Sequence, residues 1–310
     1  MGVRYDINQY IASVKMSNKT RILVEGRDDQ SNLRNLILSV VGEKSLRVDS
    51  AEIIKGDCKK TSRNNREKIE KVHGICDGNH DFSNLFYFCD REFYKFDVRD
   101  KVLDFMDGHE SRGNLFWTIG HSFENYFFNE SLMIEAFRFL TGSEFKYEAL
   151  RIFSGCFVDA VKVVATITLA ARDIGKSSYP LGVVFWKDFE FVDGNLVFDM
   201  SSWRGADKTE ICENFKSAYE KYESIVNNTD YEVLLRVCRG HTGLQLLQRV
   251  FARCLYESGS TVDASLATKH SDSFAKIKEN SVSSALCESW IRTIGKGNLN
   301  YPSALIDSIA

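Results

Sequence analysis

Short apolar runs alternate with helical periodicity through the first 128 residues. The run RILVEG at 21–26 predicts a strand. It is followed by DDQSNLRNLILSVVG at 28–42, which sets Leu33, Leu36, Ile37 and Val40 on one helical face, with Gly42 as a stop. LRVDSAEIIKG at 46–56 predicts a further strand, and KKTSRNNREKIEKVHG at 59–74 a polar helix with a basic bias. NLFYFCD at 84–90 is the clearest buried strand, and GNLFWTIG at 113–120 the next. Alternation of this kind predicts an α/β fold, a mostly parallel sheet flanked by helices through right-handed crossovers. Ligands of such sheets gather at the carboxyl ends of strands, where Glu25 and Asp90 both fall.

From residue 129 the texture changes. SLMIEAFRFLTG at 131–142 and GCFVDAVKVVATITLAARDIG at 155–175 carry helical patterns, as do 207–226, 230–257 and 271–294. Between them WKDFEFVDGNLVFDM alternates polar and apolar residues around Asp193, Gly194 and Asn195, a hairpin signal. The expected plan is an α/β core over 1–128 and a mainly helical region over 129–310 that carries a β-hairpin.

Composition narrows the class of protein. With a formal net charge of -3 and 27% charged residues, the chain has no global basic signature, so a nucleic-acid surface must be local. Its 8 cysteines include no CxxC pair, which argues against structural zinc, and they read as small buried hydrophobes. The first residues lack the apolar stretch of a signal peptide, and no run approaches 18 apolar residues. A cytoplasmic, reduced protein without membrane association is expected.

Three strand ends carry the candidate chemistry. Glu25 closes the first strand and Asp29 lies four residues on, in the first turn of the expected helix, where capping is the competing role. Asp90 and Glu92 follow LFYFC two apart, so on an extended chain they project to one side and can share a cation. Ser122 and Glu124 are again two apart, in WTIGHSFENYFF, with Glu124 set among aromatic residues where a carboxylate needs a partner. Acidic oxygen donors without soft partners suit Mg²⁺ or Mn²⁺.

Taken jointly, these ends run in the order ExxxD, DxE, SxE. That order resembles the TOPRIM domain of topoisomerases, primases and OLD-family nucleases over roughly residues 20–128. The SxE element points to the OLD-like nuclease branch. VEGRDD, CDREF and HSFENYFF look most like the AriB nuclease subunits of PARIS anti-phage defence systems. The resemblance implies two divalent metals, one served by Glu25 and Asp29 and the second held or bridged by Asp90, Glu92, Ser122 and Glu124. Glu25, Asp29, Asp90, Glu92 and Glu124 would then be the catalytic carboxylates. It further implies an RNase toxin that cleaves tRNA, is restrained by an ABC-type ATPase partner, is released when a phage trigger protein is sensed, and is a homodimer when active. The region 129–310 would dock the partner or a second copy and complete the site.

Two features depart from the family pattern. Glu92 stands where many TOPRIM proteins carry a second Asp, and the lysine that completes OLD-family sites has no obvious counterpart. Lys187, Arg239 and His241 are the candidate phosphate-facing groups, with Lys59, Lys60, Arg63 and Arg66 as a basic face on the expected polar helix. Lys68 and Lys71 lie in the same stretch, where solvated pairs such as Glu67 with Lys71 are the simpler expectation. His73, His80, His109 and His270 lie in polar stretches and read as surface residues.

Rival functions are weaker. Gly175, Lys176 and Ser177 form the tail of a Walker A motif, but Ala170 stands where its first glycine belongs, so the chain itself carries no NTP site. Topoisomerase or primase activity would need further apparatus. An OLD-type DNA endonuclease and a non-catalytic TOPRIM scaffold that regulates an ATPase remain as alternatives.

Overall fold

The structure is a computed structural model that describes residues 5–42, 45–200, 203, 210–294 and 300–310. It is a mixed α/β protein with a parallel-containing sheet and a small antiparallel hairpin. In chain order the first elements are β1 (Tyr5–Asp6), α1 (Ile7–Lys15), β2 (Thr20–Val24), α2 (Arg27–Val40), β3 (Leu46–Ser50), β4 (Ile54–Lys55) and α3 (Asn65–Cys76). Then come β5 (Leu85–Cys89), β6 (Phe96–Val98), β7 (Val102–Asp104), β8 (Ser111–Arg112), β9 (Leu115–Trp117), α4 (Glu130–Leu140), α5 (Lys146–Asp173) and α6 (Tyr179–Val183). The chain continues with β10 (Phe189–Val192), β11 (Asn195–Phe198), α7 (Glu210–Asn227), α8 (Tyr231–Val237), α9 (Gly240–Ala275), α10 (Glu279–Ile294) and α11 (Ser303–Ile309).

Contacts divide the chain into two compact units. The first comprises Met1–Arg91, Met106–Phe123 and Ile291–Ala310, and the second Glu92–Phe105 and Glu124–Trp290. The divisions therefore fall inside both the DxE and the SxE motifs.

The first unit is built on a five-stranded sheet of order β3-β2-β5-β9-β8, parallel except for β8. Period-two alternation sorts β5. Leu85, Tyr87 and Cys89 join Leu23, α1 and α3 in one apolar cluster, while Phe86 and Phe88 turn to the other face against Phe116 and Phe123. A buried ion pair ties the sheet edge together. Asp49, on β3, accepts from Arg21 on β2 at 3.3 Å, from Tyr10 Oη at 3.3 Å and from Arg47 Nε at 2.6 Å.

Several local expectations change here. Leu33, Leu36 and Ile37 are buried as the periodicity predicts, but Val40, the last residue of α2, is exposed. The expected strand 46–56 is split into β3 and β4, because the Ser50 hydroxyl accepts from the Glu52 amide and starts a 3-10 turn between them. The polar helix begins at Asn65, because Asn64 caps it and the Thr61 hydroxyl staples the preceding turn by accepting from the Asp57 and Cys58 amides. Lys59, Lys60 and Arg63 consequently sit on an exposed loop. Lys68 is buried and donates to the Ala51 carbonyl, and Lys71 pairs with Asp57 rather than with Glu67. His73 is buried, not a surface residue.

In the second unit α5 is the central helix, packed by α4, α7, α8 and α9. Rings of Phe137, Phe153, Phe251 and Phe274 meet at centroid distances of 4.7–5.6 Å. By length and composition α5 is apolar enough to cross a membrane, and 67% of its most apolar window is buried inside the fold. The β10–β11 hairpin turns on Asp193 and Gly194, both with positive φ, as a two-residue primed turn requires. The helical stretch expected at 230–257 breaks at Cys238 and Arg239, and α9 contains a non-helical residue at Asp263. The start of the helix expected at 207 lies outside the described residues; from Glu210 the helix is present. All eight cysteines are free thiols, and seven are buried; Cys58 is exposed.

Candidate metal centre

β2 and β5 are parallel neighbours, so their carboxyl ends deliver Glu25 and Asp90 side by side. The Asp90 amide donates to Glu25 Oε1 at 3.0 Å, and Asp90 Oδ1 in turn accepts from the Phe123 amide at 3.1 Å. All three acidic motifs are thus joined through the first unit by two side chain to backbone bonds. The backbone of Glu25 is held as well: its carbonyl accepts from Asn65 Nδ2 at 3.1 Å and from the Ser50 hydroxyl at 3.3 Å. Glu25, Asp29 and Asp90 are half-buried, and Ser122 is buried.

Asp29 takes the capping role that its position allowed. It is the third residue of α2, and its Oδ2 accepts from the Gly26 amide at 2.8 Å. Gly26 has an extended backbone (φ -113) that any residue adopts, so it is not needed for a sharp turn. What it provides is room, since an added Cβ would stand 3.2 Å from Asp29 Oδ2. Asp28 is exposed.

Arg91, between the two acids of the DxE motif, is fully buried. Its amide donates to the Thr118 hydroxyl at 3.0 Å and its guanidinium to the Ile119 carbonyl at 2.7 Å, while its own carbonyl accepts from Arg66 at 3.3 Å. Arg91 therefore pins the turn after β5 to the chain after β9, and Arg66 is a supporting residue that also pairs with Glu70 at 2.8 Å. Burial, followed by the neighbouring Glu25 charge, pushes the Cys89 thiol well above its ordinary value, which leaves it an inert core group.

Glu92 and Glu124 belong to the second unit. Glu92 is exposed with φ 51, a left-handed conformation uncommon for a residue other than glycine. Glu124 is buried, and His241 Nε2 lies 3.5 Å from its Oε1. The other ring nitrogen of His241 meets Glu279, which Gln245 also contacts at 2.7 Å. Only the doubly protonated ring can donate to both carboxylates. Asn125 sets this geometry by donating to the Leu235 carbonyl at 2.7 Å and to the Cys238 carbonyl at 2.9 Å, at the break that starts α9. Arg239 is engaged with the Ser177 carbonyl and the Thr242 hydroxyl, and Lys187 is exposed beside Trp186. Neither is placed with the acidic groups by any of these bonds. Asn65, Arg91, Asn125 and Glu279 were not anticipated from sequence.

Among the described residues no three or more His, Cys, Asp or Glu side chains are grouped so as to hold a metal ion. Glu25, Asp29 and Asp90 are all carboxylates, the donor type that suits a hard cation which keeps several waters and takes one or two protein carboxylates. Comparison with protein-family models gives no match, and comparison with curated proteins gives none either.

Proposed function

We propose that this chain is a TOPRIM-type, divalent-metal-dependent phosphodiester hydrolase, with Glu25, Asp29 and Asp90 as its cation-facing groups. The observation that carries the proposal is the bond from the Asp90 amide to the Glu25 carboxylate, which joins the first two acidic motifs at adjacent strand ends. Bound Mg²⁺ or Mn²⁺ would supply an acidified water and charge compensation at the phosphate. The chain's own part is positional: Asn65 and Ser50 fix the Glu25 backbone, and buried Arg91 fixes the turn that presents Asp90. The exposed loop with Lys59, Lys60 and Arg63 is a basic surface available to a phosphate backbone in this unit, so binding through it weakens steeply with salt.

From the same resemblance we infer that the substrate is RNA, with tRNA favoured, and that the enzyme works as a cytoplasmic, phage-triggered toxin. On this reading it acts as a homodimer and is held in check by an ABC-type ATPase. The test is incubation of the full chain with tRNA, unrelated RNA and DNA in Mg²⁺ or Mn²⁺ beside Glu25→Gln. Losing an outer-sphere partner of a metal ligand costs about 10–100-fold, so loss of Glu25 should cost at least that much, with the fold intact by circular dichroism. Undiminished cleavage by Glu25→Gln sinks the assignment.

A second reading has its own support. Each of the three carboxylates already accepts or bridges a backbone amide, as in a non-catalytic scaffold that docks a partner. A Mn²⁺ titration without binding, together with no cleavage of any nucleic acid, favours that scaffold.

A further inference from the structure

A second site lies at the amino end of the sheet of the first unit, away from the carboxylates. Lys19 precedes β2 and Glu25 follows it, so at about 3.3 Å per residue the two stand roughly 20 Å apart. A cavity of about 520 Å³ opens at the Lys19 end, between α2 and β3. Four consecutive β3 residues, 46–49, line it. Strand side chains alternate between faces, and such a run meets one cavity because β3 is the outer strand with a free edge. From α2 the lining is Gln30, Arg34, Ile37 and Leu38, spaced as one helical face. Gln30 fixes where that face points, since its Nε2 donates to the Val48 carbonyl at 2.7 Å. Arg34, one turn on, projects from the same face toward the start of β3. The pairing of Thr20 with Leu46 brings Lys19 to that same end.

The lining defines the chemistry of an occupant. Three cations meet the cavity, Lys19, Arg34 and Arg47, against one carboxylate, Asp49. Asp49 is already neutralised: it is 1% exposed and accepts from Arg21, Arg47 and Tyr10. Arg47 gives it only Nε, and the Arg47 side chain is 49% exposed. Lys19 and Arg34 are exposed, and among the described residues neither head group has a hydrogen bond or ion pair. Elsewhere in this unit Lys15, Arg27, Arg66 and Lys71 each meet a carboxylate. A cleft lined by one sign of charge focuses its field and concentrates counter-ions. Arginine offers phosphate a planar fork, and lysine a mobile point charge on a four-carbon stem. Beside these groups Leu38 is exposed and Leu46 half-buried, an apolar surface that a bare phosphate ion leaves uncovered. The volume falls within the range of ligand pockets, about 300–1,000 Å³.

We propose that this cavity binds a phosphate ester of nucleotide size, its phosphate on Arg34, Lys19 and Arg47 and its ring portion against Leu38 and Leu46. The occupant is a free nucleotide or one residue of an RNA strand; the recognition chemistry is the same. The proposal is independent of the hydrolase reading, because none of these residues belongs to the carboxylate site and no metal takes part.

The experiment is calorimetric titration of the full chain with AMP, adenosine, inorganic phosphate and a short oligoadenylate, in chelator so that no divalent cation occupies the carboxylates. AMP should bind at least about tenfold more tightly than adenosine or inorganic phosphate, since each of those lacks one half of the contact. An oligoadenylate that binds more tightly than AMP identifies a strand as the source of the phosphate; equal or weaker binding identifies the free nucleotide. Arg34→Gln and Lys19→Gln, both at exposed positions, should each weaken AMP about tenfold, the scale of one charge-assisted hydrogen bond, with the thermal midpoint unchanged. Lys59→Gln, in the other basic surface, should leave AMP binding as it is, which separates a built site from general attraction of anions. Absence of AMP and oligoadenylate binding at millimolar concentration overturns the proposal. So does AMP binding that neither Arg34→Gln nor Lys19→Gln weakens, or that Lys59→Gln weakens as much. Adenosine or inorganic phosphate binding as tightly as AMP overturns it as well.

Discussion

Asp49→Leu tests the packing on which the carboxylate site rests. Asp49 is 1% exposed and is the shared acceptor for Arg21, Tyr10 and Arg47. The Arg21 side chain is itself only 8% exposed and has the Ser13 carbonyl at 3.0 Å as a further acceptor. Removing Asp49 leaves a buried guanidinium without its counter-charge and the Tyr10 hydroxyl without its acceptor. Breaking a buried ion pair from one side costs about 3–5 kcal/mol. For a unit of this size each kcal/mol is worth about 4 °C, so the transition of the first unit should fall by roughly 12–20 °C in calorimetry of the full chain. Arg21→Met combined with Asp49→Leu removes both charges and should recover most of the loss, a coupling of at least about 2 kcal/mol. Arg21 and Asp49 lie before the strand end that carries Glu25, so the folded double variant should keep whatever Mn²⁺ binding the wild type shows under the proposed function. A single variant within 1 kcal/mol of wild type, or a double variant equal to the sum of the singles, refutes the reasoning.

Two further outcomes follow from the second unit. Burial raises the Glu279 carboxyl, but hydrogen bonds from His241 and Gln245 and the positive charge of His241 and Arg239 outweigh it, holding the group below the ordinary value of 4.5. A depressed carboxyl stabilises fully above that ordinary value and loses the contribution as pH falls through its folded value. The urea midpoints of wild type and Glu279→Gln should therefore differ at pH 6 and converge in acid; a gap that widens in acid contradicts the assignment. Phe251→Ala should cost about 3–5 kcal/mol in urea unfolding, because Phe251 is fully buried among Phe137, Phe153 and Phe274. A loss under 1 kcal/mol would mean that this ring cluster collapses around the gap.

Elements bounded by abrupt changes of polarity were legible in the sequence. RILVEG and NLFYFCD are short apolar runs that stop on acids, and they became β2 and β5 within a residue or two. Asp193 and Gly194 named their own turn because few residue pairs tolerate two positive φ values. The burial of His73 was present in the pattern too, since Ile69, Val72, His73 and Cys76 share one helical face. The polarity of the neighbouring residues hid it. Lys68 was hidden differently, because its stem is buried while its ammonium reaches a carbonyl 17 residues away. Arg91 and Asn125 had no sequence signal at all: the side-chain bonds described for them end on backbone carbonyls, which every residue carries. The pairing of Glu124 with His241 depends on a helix break more than a hundred residues downstream, which periodicity does not locate.

The apolar character of α5 has a consequence for how the chain is made. The helix leaves the ribosome about 70 residues before α9, one of the helices that cover it, begins to emerge. At about 5–20 residues per second that interval lasts roughly 4–14 s. Throughout it, a segment apolar enough to be taken for a membrane anchor lacks the part of its cover that α9 supplies. Nascent-chain chaperones and the membrane insertion machinery thus compete for α5 before the fold can claim it. Slow translation between residues 174 and 239 should favour aggregation or misdirection, and faster synthesis of that stretch should raise the yield of folded protein.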